Sequence, residues 1–598
     1  MKIGIEIHQQ LDTKKLFCPC ESRVTDQAPD YTIRRKQRAV LSEMGKFDPA
    51  AMAEMKKDRT FSYESYDRLC LVELDEEPPH PLNKEALGIA AQAAMLMGAK
   101  IAEEIHVMRK TVVDGSNTSG FQRTALIATD GHVDTKEGKI RIPSICLEED
   151  AARIIEKKDT ETTYRLDRLG IPLIEIATSP DIKTPEQARE VAAAIGRILR
   201  SVKIKRGLGT IRQDLNVSIE GSERTEIKGV QDLALIPKIV ENEAGRQKAL
   251  LEIKETLGKR KAKANAEPLD VTELFKDTQS KIAKKLAHEG AIYAAKLEGF
   301  AGLLGTEVNP SRRFGTELSE YAKSQGTSGL FHSDELPNYG ISEEEVGKIK
   351  ELLKVEEKDA FILIGGPKDK AKKAMDTVMK RAAEAAEKVP SETRRALEDG
   401  TSSFMRPLPG PARMYPETDI PPVPAPEGIK KPEMIDERIK RIAKKHAIPE
   451  DAVKELLDTG RLGIFEAAVD MGVNNTVAYT TLTAQMSATA REGVKIEKLS
   501  DETLTTMFAA LSKGVFAKEA IPDMLKSLSQ GKTIEQAMNE KGLGGETDIE
   551  AIIDEVFREK PELVQQKAFK PLMGIVMQKA RGRIDGQKVA QALQKRLK

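Results

Sequence analysis

The 598-residue chain contains no tryptophan, and aromatic residues of all kinds make up only 4% of it. Net charge is absent too: 95 basic residues stand against 95 acidic ones, so gross charge does not mark a nucleic-acid binder. Cysteine is scarce. Of the four, Cys18 and Cys20 lie together in "LFCPC" while Cys70 and Cys146 are far away, which matches neither a disulfide framework nor a standard zinc spacing. Convergence of Cys18, Cys20 and Cys70 on a zinc in the folded chain stays open. No apolar run reaches the length of a membrane span. The longest, "ALGIAAQAAMLMGA" at 86–99, is short and alanine-rich and predicts a buried helix. Glu6 and His8 interrupt any signal-peptide core, so a soluble cytoplasmic protein without membrane contact is expected.

The common nucleotide and nucleophile motifs are missing as well. "SQGKT" at 529–533 has the end of a P-loop, but Lys526 stands where its first glycine is needed, and "GLG" at 207–209 does not continue as GxGxxG. No GxSxG elbow occurs. An enzyme with this sequence has to work through acids, a metal and polar strand residues.

Acids are present in a suggestive pattern. In "GIEIHQQL" at 4–11, strand alternation sets Ile3, Ile5 and Ile7 on one face and Gly4, Glu6 and His8 on the other. "SICLEEDAARI" at 144–154 embeds Glu148, Glu149 and Asp150 after an apolar run. "IPLIEIATSPDI" at 171–182 carries Glu175 inside an otherwise apolar stretch, where an unpaired buried charge is costly. "IRQDLNVSI" at 211–219 alternates Asp214, Asn216 and Ser218 with Leu215, Val217 and Ile219. A wet outer sheet face accounts for any one of these segments. Four together predict one site, and gathered carboxylates repel one another unless a hard cation, magnesium or manganese, sits between them. Strand parity favours Glu148 for that site, but a chain turning at Asp150 can present Glu149 instead.

Length implies about three to five domains. Residues 1 to about 265 are strand-rich; 254–275 is charged and proline-marked, as at a boundary; 276–400 has a βα rhythm ending in a long alanine-rich helix. The proline-dense stretch 402–429 is expected to lack regular structure. From Lys430 onward the pattern is helical, with 3.6-residue spacing in 449–472. Between Lys560 and Lys598 ten Lys and Arg face only Glu562 and Asp585, the footprint of a polyanion partner.

"GIEIHQQLDTKKLFCPC", "CLEEDAAR", "YRLDRLGIPLIEIATSPDI", "IRQDLNVSI" and "TEIKGVQDL", in that order, resemble the B/E family of tRNA-dependent amidotransferase subunits. The tail segments "NEKGL", "IDEVFREKPELV" and "MGIVMQKARGRIDGQKV" resemble the family's C-terminal tRNA-binding domain. The insertion after residue 268 and "ELDEEPPHPLN" at 73–83 are similar to the archaeal E branch. The resemblance implies an α+β multidomain protein. Its expected parts are a β-rich, cradle-like catalytic domain in 1–268 returning at 401–432, an inserted aspartyl-tRNA-synthetase-like α/β module in 269–400, a helical domain in 433–506 and a helical tRNA-binding tail in 507–598.

The resemblance further implies that ATP phosphorylates the side chain of glutamate carried on tRNA(Gln) and that ammonia displaces the phosphate. Mg2+ would be held among Glu6, His8, Glu148, Glu149, Glu175 and Asp214. Arg168, Asn216, Ser218 and Lys228 are the candidates for contacting ATP, and Lys579, Arg581, Arg583 and Lys588 for contacting tRNA. Ammonia would come from an asparaginase-like D subunit, in an assembly of two D and two E chains. The rival readings are a tRNA-binding scaffold, a bacterial-type B subunit acting on Asp- or Glu-tRNA, an aspartyl-tRNA synthetase, and a two-metal nuclease. The second CxxC of many B subunits is lacking here, so a zinc does not carry over from the family.

Overall fold

The isoleucines of the first strand set the architecture. Ile3, Ile5 and Ile7 are fully buried in a core whose other wall is helical, which leaves the opposite sheet face free for polar residues. In the computed structural model, the described residues are all except 43–44, 56–57, 159, 417, 541–547, 581–585 and 598. They divide into two compact units, Met1–Met434 and Ile435–Lys598. The protein is α+β, with strands concentrated in the first unit and helices alone in the second.

The first unit is built on one large mixed sheet. Its strands, numbered in chain order, are β1 Lys2–Gln10, β2 Val107–Thr111, β3 Phe121–Thr135, β4 Gly138–Glu149, β5 Pro172–Ala177, β6 Ile211–Ser218, β7 Thr225–Lys228, β8 Glu392–Ala396, β9 Ser402–Pro407 and β10 Met414–Tyr415. They lie side by side in the order β9-β8-β7-β6-β1-β5-β4-β3-β2-β10, and the short Lys100–Ile101 strand also pairs with β3. Only the β7–β8 pair is parallel. The apolar face is covered by α1 Lys84–Leu96, α2 Pro185–Leu199 and α3 Ile236–Lys259. Asn83 caps α1 by accepting from the amides of Glu85 and Ala86, and the alanine-rich run buries as expected. Thr184 caps α2 just before Pro185, whose missing N–H is no loss in a first turn.

β9 and β10 stand at opposite edges of the sheet, yet only residues 408–413 separate them in sequence. Six residues span at most about 25 Å. Ten strands laid flat would hold those edges about 43 Å apart. The sheet therefore curls until its edges approach. The linker is tied down where it crosses: the Gly410 amide donates to Asp48 at 2.9 Å, and Arg413 Nε donates to the Thr111 carbonyl at 3.3 Å. The expectation that 402–429 lacks regular structure is corrected here. The stretch supplies β9, β10 and a Val423–Pro424 strand paired with Glu104–Ile105. Prolines are tolerated because they fall at strand ends and sheet edges, where a missing N–H breaks no ladder.

The inserted segment centres on the antiparallel strands Ala291–Leu297 and Ala360–Gly366. Helices pack on both faces of this pair, among them α4 Phe314–Ser324 and the long Lys368–Ala385 helix. The chain then returns to the large sheet as β8. In the second unit, one core runs from Ile435 to Ala537 and takes in Phe465, Leu482, Met507, Phe508 and Met524. A separate small core, including Ile553, Leu572 and Leu593, holds the last helices together. Among the described residues no helix is long and apolar enough to cross a membrane.

Candidate active site on the polar face of the sheet

Two acid clusters lie side by side on the face opposite α1, α2 and α3, and register explains both. Glu6 and His8 share a face of β1. His8 sits across from Glu175 of β5 on one side and Arg212 of β6 on the other, while Glu6 is paired with Asp214 of β6. Glu148 of β4 is two positions beyond Cys146, the partner of Glu175, so it reaches the same face.

In the first cluster His8 Nε2 is 3.3 Å from Glu175 and 3.6 Å from Glu148. Lys110 of β2 reaches across β3, its Nζ 2.7 Å from Glu148 and 2.8 Å from Glu175. Burial alone would raise the pKa of Glu175, but Lys110 and His8 hold it well below the usual carboxylate range. Glu148, only 2% exposed, is pushed up by burial in spite of Lys110. Burial pulls His8 down, yet the hydrogen bond and charge of Glu175 outweigh it and leave the imidazole raised. The thiol of Cys146 lies on this face too, pushed up to about 12 by burial.

The second cluster joins Glu6, Asp214 and Glu226. Lys228 Nζ lies 2.7 Å from both Asp214 and Glu226. Each acid also has a fixed neutral donor. Asn216 Nδ2 donates to Glu6 at 3.1 Å, the Gly229 amide to Asp214 at 3.1 Å, and Thr393 Oγ1 of β8 to Glu226 at 2.9 Å. Burial works against ionisation of Asp214 and Glu226, but Lys228 lowers both. Among the described residues no lysine lies at hydrogen-bond distance from Glu6; burial and the charges of Glu175 and Glu226 raise it. In each cluster one donor atom from each of three side chains lies within 4.8 Å of the others.

Glu6, His8, Glu148, Glu175, Asp214, Asn216 and Lys228 thus come together. Glu149 does not. Its register partner Pro172 is on the opposite face, and its carboxylate accepts from the Arg123 amide at 3.1 Å. Arg168 is occupied with the carbonyls of Ala151 (2.7 Å) and Ala152 (3.0 Å) and serves the turn after β4. Ser218 ends β6 opposite Lys2, one repeat beyond Asn216. Asp150 is fully buried against Gln10 (2.6 Å) and Arg212 (2.8 Å), a structural anchor beneath the clusters. Lys110 and Glu226 were missed in the sequence. Glu226 stands two residues before Lys228 in "TEIK", a same-face spacing that was open to notice; "VMRKT" carries no comparable mark for Lys110.

Cys18, Cys20, Cys70 and Glu73 also converge within 4.8 Å, with Lys15 Nζ 2.9 Å from Glu73. In the tail, Lys579 pairs with Glu555 and Glu559 and Lys588 is exposed, while Arg581 and Arg583 lie outside the described residues.

A curled sheet with carboxylates, lysines and an imidazole on its open face defines an acid-and-cation site rather than a nucleophile-centred one. Comparison with known proteins places it further. Residues 1–430 match the family model described as the GatB/GatE catalytic domain, and residues 463–597 match the GatB domain. The chain is 48% identical to the E subunit of glutamyl-tRNA(Gln) amidotransferase from Methanocaldococcus jannaschii, over all of this chain and 98% of the relative. It is 49% identical to the E subunit from Pyrococcus abyssi over 96% of this chain and 93% of that one. With the E subunit from Methanosarcina acetivorans it shares 47% identity over all of this chain and 97% of the relative. The chain belongs to the GatB/GatE family of tRNA-dependent amidotransferase subunits.

Proposed function

We propose that this chain converts glutamate carried on tRNA(Gln) to glutamine. In this reading ATP phosphorylates the glutamyl side chain, and ammonia from an asparaginase-like D subunit, within an assembly of two D and two E chains, then displaces the phosphate. The observation that carries it is the pair of acid clusters, each with its own lysine, on one open sheet face. Glu6, Glu148, Glu175, Asp214 and Glu226 outnumber Lys110 and Lys228, and Glu6 accepts from the neutral Asn216 amide while the charges of Lys228 and His8 offset its raised pKa only in part. Such an oxygen-rich, under-neutralised set fits Mg2+, held by His8, Glu148 and Glu175 or by Glu6, Asp214 and Glu226. The ion, when bound, supplies neutralisation of phosphate charge.

The chain's own residues do the rest. A carboxylate substrate attacks phosphorus by itself, so no protein nucleophile is needed and positioning dominates. Lys110 and Lys228 are ammonium groups within reach of an entering phosphate. As ammonia forms its bond to the acyl carbon and phosphate leaves, a proton must be taken up. The departing phosphate is itself basic enough to take it up, so no protein base is required and Glu6 is left to hold the ion.

The purified chain should make Gln-tRNA(Gln) from Glu-tRNA(Gln), ATP and free ammonium, and should use glutamine or asparagine only after the second subunit is added. Failure with ammonium, or nuclease activity instead, would overturn the reading. For tRNA, charge reversal at Lys588 should weaken binding and flatten its dependence on salt, because phosphate contacts act by releasing counterions. The core that runs on to Ala537 makes this a cleaner test than deleting residues 507–598, which would remove buried Met507 and Phe508.

A further inference from the structure

The inserted segment reaches Glu226 of the second acid cluster through the hydroxyl of Thr393. Thr393 is fully buried in β8, the strand on which the chain leaves the insertion, directly across the parallel ladder from Glu226. Its Oγ1 donates to Glu226 Oε2 at 2.9 Å, while Lys228 holds Glu226 Oε1 at 2.7 Å. The two donors differ in kind. Lys228 is a long side chain, 30% exposed, whose ammonium is shared with Asp214 and can swing to an entering anion. Thr393 is a short β-branched residue with a restricted rotamer, locked in a strand.

The strand itself cannot drift. Glu392 and Arg394, which flank Thr393 and point to the other face, are buried at 1% exposure in an ion network with α3 and with α4 of the insertion. Arg246 of α3 grips Glu317 of α4 through two hydrogen bonds, 2.6 and 2.8 Å, and also binds Glu243 at 2.9 Å. Arg394 in turn lies 2.6 Å from Glu392 and 3.0 Å from Glu317. Burial makes these charges dependent on one another, so β8 sits where the insertion puts it.

We propose that Thr393 is a positioning residue: from the last strand of the insertion it holds the Glu226 carboxylate in place when Lys228 turns to substrate phosphate, which makes the insertion part of the cation site. This rests on the reading of Glu6, Asp214 and Glu226 as a site for a divalent cation. A donor behind a metal-binding carboxylate typically changes metal affinity or activity by about 10- to 100-fold when it is removed.

The test uses the full chain and Mn2+ as the probe, with binding followed by electron paramagnetic resonance. Thr393→Val, which keeps the shape and removes the hydroxyl, should weaken Mn2+ binding by about 10-fold or more. Thr393→Ser should restore most of it. In the amidation assay, raising Mg2+ should bring T393V back toward the wild-type kcat, which a merely misfolded sheet would not allow. If wild type binds no Mn2+, the cation reading fails and the inference with it. If wild type binds and T393V binds equally well, the inference alone is overturned. Weak binding in T393V that excess Mg2+ does not overcome in the assay would also overturn it, by assigning Thr393 a structural role.

Discussion

The two acid clusters are near-copies in composition and differ in how they are held. Each brings three side chains with carboxylate or imidazole groups and one lysine to the same sheet face. Around Glu148 and Glu175 the close partners are themselves ionic or ionisable, namely Lys110 and His8. Around Glu6, Asp214 and Glu226 each acid also has a neutral, fixed donor: Asn216, the Gly229 amide and Thr393. A carboxylate held only by charges depends on those charges remaining, whereas one held by a backbone amide or a threonine keeps its orientation when its lysine moves. The lesson is that a site able to exchange an internal cation for an external one needs neutral donors behind its acids.

The largest effect should separate the two lysines. Lys110→Met leaves buried Glu148 and half-buried Glu175 with His8 as their remaining ionisable partner, a change that in buried pairs costs about 3–5 kcal/mol. Lys228→Met leaves Asp214 and Glu226 with the Gly229 and Thr393 donors still in place and removes a lysine that is itself 30% exposed, and should cost about 1 kcal/mol, in line with a charge-assisted hydrogen bond partly screened by water. Chemical denaturation in EDTA measures both. Equal losses would erase the distinction. Added Mg2+ should restore stability to K110M if the His8 cluster accepts a cation.

Activity comes next. Glu175→Gln and Asp214→Asn, one from each cluster, should each lower amidation by more than about 100-fold with the fold intact if the proposed cation site is right, since each removes a charge from a preorganised acid cluster. If only one of the two matters, only one cluster does the chemistry.

Glu6→Gln should act in opposite senses on activity and stability. Glu6 is half-buried, and Lys228 and His8 do not offset what burial and the neighbouring acids do to raise its pKa, so the amide should preserve the Asn216 contact and add about 0.5–2 kcal/mol to stability while amidation is lost. A lower melting temperature for E6Q would mean that Glu6 serves the fold.

The smallest effect is on pH dependence. His8 is raised in the folded protein, so its contribution to stability is complete below its unfolded value near 6.5 and is lost as pH rises through the folded value. In EDTA the wild-type melting temperature should therefore decline over that interval more steeply than that of His8→Gln. Parallel profiles would show that His8 is not held as a cation by Glu148 and Glu175.

Much of this site was legible because strand alternation is a local rule. The isoleucines of β1 predicted the side on which Glu6 and His8 stand, and "IRQDLNVSI" did the same for Asp214 and Asn216. Legibility ended where a side chain's role depends on a neighbour distant in sequence. Glu148 and Glu149 are equivalent as residue types; only the pairing of β4 with β5 and β3 sends one to Lys110 and the other to Arg123. The proline-dense stretch misled for a related reason. Proline forbids a central strand but not an edge, and which strands are edges is a property of the whole sheet.

The amino-acid order alone determined the faces of the strands, the alanine-rich buried helix, the helical second unit and the ordered motifs that carry the family resemblance, because each depends on spacing within a few residues or on the motifs themselves. Tertiary structure decided which acids share a lysine, that Arg168 serves a turn, and that Thr393 lies behind Glu226. Those relations join residues 38 positions apart for Lys110 and Glu148 and 167 apart for Glu226 and Thr393. No local periodicity spans such distances; register across a curled sheet does.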